Sequence, residues 1–457
     1  MAPRDGRGRS ARLGLVFGSL VALLALPGCP ISDDYFIDPS AGTGGASTSG
    51  GMAGKSGKGD KGGMAGSGGL VSGGSGGGAG GPTACEELCN VPRTCASGCQ
   101  DGWITTGTPP GGFSPREKAA YASIGSQLFI WGGVNESGTA LNSGALYDPR
   151  GDTWKVVASD ANTPTPRSLA TAVWTGSVIV VWGGLDPVSM EPLADGAIYD
   201  PVANAWASMS AGLRPRSAPV GATVAELVVF FGGHTGAGPL GGLDSYDPVM
   251  DVWEAGMLGS PPAVADPAVA SGTATVWTYG GRTALNTGVS GSTYYSMSSN
   301  RWVDADSRTP GRWGSFSAFA SSGAFFVWGG RNLNDLFDDG AGYDVGLLSN
   351  WESMSSFGAP SARFATDRES GWAFVMDPAT TNESIVIIAG LDAPGSYLAD
   401  GAIYDVNGDD WEVIPAWPSQ ASHAFGAAGL AAGELIVWGG RDGTTLTNQG
   451  VRYRPPD

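Results

Sequence analysis

The sequence predicts an all-β fold: a ring of seven four-stranded antiparallel blades. Three observations carry that prediction. An apolar run followed by a glycine pair recurs at 132–133, 183–184, 232–233, 280–281, 329–330 and 439–440, with a degenerate Ala389-Gly390 before the last. The steps of 51, 49, 48, 49, 60 and 50 residues give a period that suits a blade-type repeat rather than a helical solenoid. Downstream of each pair stands a tyrosine, almost always followed by a tryptophan seven residues on. The final copy keeps Tyr453 but lacks the tryptophan strand, while an unassigned Trp103 precedes the first copy.

Taken in chain order, residues 1–28 carry Arg4, Arg7, Arg9 and Arg12 and then the apolar run LGLVFGSLVALLAL (Leu13 to Leu26). A basic flank before a run too short to span a bilayer reads as an export signal. The run ends in LPGC, which resembles a bacterial lipobox. That resemblance implies cleavage before Cys29 and lipidation of its thiol, with residues 29–40 as the lipidated N-terminus. Ordinary secretion and an uncleaved anchor are the alternatives. Residues 41–82 hold 20 glycines in 42 positions and no aromatic residue, the composition of a flexible tether. Its root-mean-square reach is roughly 35 Å.

Residues 83–101 contain Cys85, Cys89, Cys95 and Cys99, an even set in an exported chain, and two disulfides of undetermined pairing are expected. A four-thiolate zinc site is the alternative, although its C-x3-C spacings are not those of a zinc ribbon. The formal charge is −18, and removal of the signal makes it about −21, which opposes phosphate backbones. Nucleic acid is therefore excluded as an expected partner.

Residues 102–457 hold the repeats. The runs LFIW, VIVVW, LVVFF, ATVWTY, AFFVW, SIVIIA and ELIVW are rich in β-branched and aromatic residues and bounded by glycine, as buried strands are. Stretches such as YDPRGDTW and YDPVANAW place an Asp-Pro turn between two further strands. Each period thus supplies four antiparallel strands, one blade of a propeller. The order of apolar strand, Gly-Gly, Tyr and then Trp is similar to a kelch repeat, present in seven copies, the sixth with an insertion around DPATTNES (Asp377 to Ser384). Glycine fits where the second strand turns sharply and blades crowd together. Trp103 lies 13 residues before Arg116, as Trp154 lies 13 before Arg167, so DGWITT is expected to pair with the C-terminal strands and close the ring.

In such a blade, the loop after the glycine pair and the loop joining blades emerge on one face. The first begins with Val134, Leu185, His234, Arg282, Arg331, Leu391 and Arg441; the second carries Arg116, Arg167, Arg216, Arg312 and Arg363. His234 and the eight arginines are the candidate ligand-binding rim, since guanidinium offers a planar two-pronged donor to carboxylates and sugar acids. The kelch resemblance implies ligand contacts at comparable loop arginines. A structural role stands beside this reading, with the arginines joining blades through nearby acids or carbonyls. Asp186, Asp392 and Asp442 offer themselves as partners.

Galactose oxidase, a kelch enzyme, needs two histidines, two tyrosines and a cysteine at copper. Only His234 and His423 exist here, with no cysteine after Cys99. Sialic-acid mutarotases need acids, bases and arginines alone and so stay open. The acidic DLFDDG (Asp335 to Gly340) suits calcium or a solvated loop. No cofactor or metal is expected. The expectation is a non-enzymatic module binding a protein or acidic glycan and lipid-anchored at the cell envelope, with an exported carbohydrate-active enzyme as the alternative.

Overall fold

A computed structural model describes residues 102–455 apart from 257–262, 284–286, 306–309, 345–349, 367–369, 377–382 and 418–422. The chain divides into two units, Met1–Cys99 and Gln100–Asp457. The expected signal peptide, lipidated Cys29, tether and disulfides of Cys85, Cys89, Cys95 and Cys99 all lie outside the described residues, as does most of the DPATTNES insertion.

Seven four-stranded antiparallel sheets form the second unit. In blade 1 the strands are Ala120–Ile124, Gln127–Trp131, Gly144–Asp148 and Thr153–Val157, hydrogen-bonded in that order from the inside outward. Blades 2 to 6 repeat the plan from inner strands Thr171–Trp174, Val220–Val224, Ala268–Ser271, Phe316–Phe319 and Gly371–Met376. Blade 7 is Ala427–Ala431, Glu434–Trp438 and Gly450–Arg454, completed on its outside by Gly102–Thr105. In that closing pair Trp103 stands opposite Tyr453, the register that Trp154 and Tyr147 take in blade 1.

The second strand of each blade is largely apolar because it is covered on both faces. Leu128, Phe129, Ile130 and Trp131 are fully buried, and so are Ile179 to Trp182. Alternation would leave a polar side chain against a neighbouring blade, so these strands read as continuous apolar runs. The core accordingly lies between blades. Phe129 and Trp131 of blade 1 pack with Ile179, Val181, Tyr199 and Trp206 of blade 2. Leu128 and Ile130 pack on the other side with Ala427, Ile436 and Trp438 of blade 7, so the core runs round the ring without a break at the chain termini.

In blades 1, 2, 3 and 6 the tyrosine–tryptophan pairs tie the outer edge to the preceding blade. Tyr147, Tyr246 and Tyr404 donate to the carboxylates of Asp152, Asp251 and Asp409 at 2.6, 2.8 and 2.8 Å, and Tyr199 donates to Asn204 at 2.6 Å. The same oxygens accept backbone amides from the chain leaving the previous blade, as Asp251 does from Ser210 at 2.7 Å. The tryptophan Nε1 then donates to a carbonyl of that chain: Trp154 to Gly107, Trp206 to Ala158, Trp253 to Ser210 and Trp411 to Ser355, all at 2.8–3.0 Å. Trp103 does likewise to Pro415 at 2.6 Å, so the closing strand makes the contact a native fourth strand would make.

Candidate functional site

Two sets of arginines were expected on the face where the glycine pairs turn, and the structure separates them. Arg116, Arg167, Arg216, Arg312 and Arg363 are between 0 and 2% exposed. This corrects their assignment to a ligand-binding rim, because each guanidinium is folded into a blade joint. One Nη of each donates to the carbonyl that opens its own blade's turn: Gly132, Gly183, Gly232, Gly329 or Ala389, at 2.6–3.1 Å. The arginine's own carbonyl accepts the amide of the second glycine of the blade before. Gly133 donates to Arg167, Gly184 to Arg216, Gly281 to Arg312, Gly330 to Arg363 and Gly440 to Arg116, at 2.8–2.9 Å.

That joint explains the glycines. Gly183 has φ +72°, and a Cβ there would sit 2.7 Å from the Arg216 carbonyl of the next blade. Glycine alone meets both demands at low cost.

Carboxylates complete several joints. Arg167 meets Asp195 at 2.9 Å, Arg312 meets Asp339 at 2.6 Å, and Arg363 meets Asp400 at 3.0 Å. Asp339 belongs to DLFDDG, so one acid of that stretch serves a joint. Arg216 and Asp244 form a fully buried pair at 2.6 Å, which Arg214 joins from its half-exposed position. Arg116 has no acid in its hydrogen-bond set and is held by the carbonyls of Ser114, Gly132 and Ser143 and the Ser143 hydroxyl. Burial pulls its pKa down to about 9, which leaves it charged at neutral pH.

The second set comprises the residues directly after each glycine pair. Their backbones bridge to the inter-blade loop: Val134 to Glu117, Leu185 to Ser168, His234 to Ser217, Arg282 to Ala265, Arg331 to Trp313, Leu391 to Phe364 and Arg441 to Ala424. This places the seven side chains on a common tier above the inner strands.

Two of the three arginines on that tier are neutralised. Arg282 pairs with Asp266 at 2.6 Å. Arg441 pairs with Glu117 at 2.7 Å and Glu136 at 3.6 Å, and the Glu117 hydrogen bond is the chief cause of its raised pKa. Arg282 and Arg441 thus pair with acids other than the expected aspartates among the described residues, and the side chain of Asp442 lies outside them. Asp186 instead accepts amides of Val188 and Ser189 in its own loop. His234 is half-buried in the short ribbon His234–Thr235, paired with Gly238–Pro239.

Arg331 is different. It is half-buried, and among the described residues no carboxylate oxygen lies within 4 Å of it. Its one side-chain hydrogen bond among the described residues runs from Nε to the Asn332 carbonyl at 3.3 Å. The guanidinium lies 4.9 Å from the Phe364 ring centroid and 5.7 Å from that of Trp313, a cation–π arrangement that holds it in place. It opens onto a cleft of about 430 Å³ between the loops of blades 5 and 6, whose lining includes Arg282, Trp313, Leu333, Phe364, Leu391 and Tyr397. Neither His234 nor Arg441 lines this cleft, so the structure brings two of the nine candidate rim residues together.

Sequence reasoning missed the remainder of the joint. His423 occupies blade 7's arginine position, fully buried with Nδ1 2.8 Å from the Gly439 carbonyl. Val264 occupies blade 4's. The signal was available in the spacing: His423 stands 16 residues before Gly439, as Arg116 stands before Gly132. Further backbone bonds run along two arcs of the mouth, with the amides of Lys118, Leu169, Ala218, Gly314 and Ala365 donating to the carbonyls of Phe425, Lys118, Leu169, Asp266 and Gly314. Those bonds involve main chain alone and leave no residue signature.

Comparison with known proteins agrees with this architecture. Residues 118–306 match the KLHDC2/KLHL20/DRC7 Kelch-repeats domain. Kelch-like protein 38 of Rattus norvegicus is 28% identical over 185 residues, which are 40% of this chain and 31% of that protein. Kelch repeat-containing protein kel-10 of Caenorhabditis elegans is 35% identical over 89 residues, 20% of this chain and 14% of that protein. The matches thus span about a third or less of the relatives' lengths. The solved structure of YjhT superposes with a TM-score of 0.50 at 17% identity, over 67% of this chain and 99% of YjhT, a likeness of fold.

Proposed function

We propose, on the premise that the globular body is a kelch-repeat β-propeller, that the protein is a non-enzymatic binding module whose loop face engages a protein or acidic-glycan partner. The observation that carries this reading is Arg331, the loop-face arginine fixed by aromatic contacts and open to a cleft, with no carboxylate in reach among the described residues. An uncompensated guanidinium beside apolar walls is a recognition element for an anionic group. An enzyme acting on sugar acids would draw on a recessed set of arginines and carboxylates. Here the pairs Arg282–Asp266 and Arg441–Glu117 neutralise one another, which favours binding over catalysis.

The proposal includes location. The basic flank, short apolar run and LPGC of residues 1–29 support export and lipidation at Cys29, and the glycine-rich 41–82 supports a tether that holds the module near a membrane surface at the cell envelope. The test is a binding screen of the purified mature chain against envelope extracts and acidic glycans, with Arg331→Ala and Arg441→Ala alongside. Binding should disappear with Arg331→Ala and persist with Arg441→Ala. Full binding by Arg331→Ala would overturn the reading. Metabolic labelling with a fatty acid should mark the wild type but not Cys29→Ala.

A further inference from the structure

We infer that the cleft between blades 5 and 6 takes an extended peptide segment in which a carboxylate lies beside an apolar side chain; this deepens the binding reading above and rests on it. The floor is apolar and already in place: Trp313, Phe364 and Leu391 are 7, 3 and 4% exposed. One wall is Leu333, 62% exposed at the tip of the blade 5 loop, so its side chain is open to a ligand in the cleft. The other wall is the short blade 6 hairpin, where Leu391–Ala393 pairs with Ser396–Tyr397 and turns at Pro394 and Gly395. Two protruding loops over an apolar floor form a groove, and its volume of about 430 Å³ falls within the range of specific ligand sites.

Charge then narrows the occupant. Asp266 cancels Arg282, so among the described residues Arg331 supplies the cleft's uncompensated positive charge. Its Nη groups make no hydrogen bond among the described residues, so both remain for a two-pronged acceptor. A single carboxylate matches a single guanidinium, and a neighbouring apolar side chain matches Leu333 and the floor. A glycan fits less well. Sugar hydroxyls need polar partners when desolvated, and apart from the arginines the lining side chains offer hydroxyls only from Thr366 and Tyr397. A polyanion would need several cations along its length.

The experiment uses the mature chain and four defined probes by fluorescence polarisation. Three are labelled peptides with Gly-Ser flanks and a central Glu-Gly-Leu, Gln-Gly-Leu or Glu-Gly-Ser; the fourth is a labelled uronic-acid oligosaccharide. The Glu-Gly-Leu peptide should bind about tenfold or more tighter than either peptide control. Arg331→Lys keeps the charge but loses the planar fork, and Leu333→Ser removes an exposed wall without touching the core; each should weaken that peptide several-fold, by roughly the loss of one good contact.

Equal binding of the Glu and Gln peptides, or indifference to both substitutions, overturns the inference. So does Arg331-dependent binding of the oligosaccharide with none of the peptides. If all the defined peptides fail while envelope-extract binding still requires Arg331, this inference falls and the broader reading stands. If neither binding requires Arg331, both fall.

Discussion

Arg216 and Arg331 belong to the same loop face and place opposite demands on the fold. Arg216 is fully buried against Asp244 and the Gly232 carbonyl. Its removal leaves the buried carboxylate with Arg214 alone, which pairs with it from a half-exposed position. Arg216→Ala should therefore cost about 2–4 kcal/mol, somewhat below the range for leaving a buried charge unpaired. Arg331→Ala loses one weak hydrogen bond and two cation–π contacts at a partly exposed site and should cost about 1 kcal/mol. Urea unfolding followed by circular dichroism measures both, and similar midpoints for the two variants would contradict the assignment of joint and site. The tyrosines make a second prediction at this scale. Burial is the leading cause of raised pKa values at Tyr147, Tyr199, Tyr246, Tyr295 and Tyr404, with Tyr199 pushed up to about 12. Above pH ~10 the unfolded chain releases these protons while the folded chain keeps them, so the stability they contribute is complete below that pH and is lost as pH rises toward the folded values. Phenolate absorbance should appear together with loss of the circular dichroism signal. Titration of all five near pH 10 in a still-folded chain would refute the burial account.

At the scale of the element, the closing strand Gly102–Thr105 is the decisive case. Trp103 meets Tyr453 and Trp417 at ring-centroid distances of 5.2 and 5.3 Å and donates to Pro415. Trp103→Ala should cost about 2–3 kcal/mol, less than truncation of a fully buried tryptophan because Trp103 is half-buried. Deleting the strand exposes the edge of Gly450–Arg454, and concentration-dependent association by light scattering should follow. This strand was legible in the sequence because it carries a residue type, a tryptophan at a fixed distance from an arginine. The glycine pairs were legible for the same reason, since positive φ and close backbone approach select one residue. The roles of Arg116, Arg167, Arg216, Arg312 and Arg363 were not, because whether a guanidinium faces a ligand or a carbonyl depends on how two blades meet. The acceptors Asp152, Asn204, Asp251 and Asp409 stood five residues after each tyrosine, hidden by their resemblance to ordinary turn residues. The cleft at Arg331 was least legible of all, since it is made where loops of two blades meet and no single repeat carries its pattern.

For the molecule as a whole, the repeat is uneven around the ring. At the seam between blades 3 and 4 the joint cation is replaced by Val264, and no counterpart of the Gly133–Arg167 bond joins Gly233 to residue 264. Among the described residues, two recurring ties are therefore missing at this seam. Hydrogen exchange should therefore be faster for blade 4's inner strand Ala268–Ser271 than for blade 2's Thr171–Trp174, by about tenfold for each 1.4 kcal/mol of lost local stability. Equal protection of the two strands would show that apolar packing alone sets seam strength.

The pairing of Trp103 with Tyr453 also imposes an order in time. Emerging from the ribosome, the fourth ribbon of the last blade is made before the hundreds of residues that separate it from its partner, and it stays unmatched until Gly450–Arg454 has been synthesised. Six blades can assemble locally, each from neighbouring sequence. The circle itself is completed by a contact of the greatest sequence separation the domain offers, which makes its closure the slow, concluding event of folding.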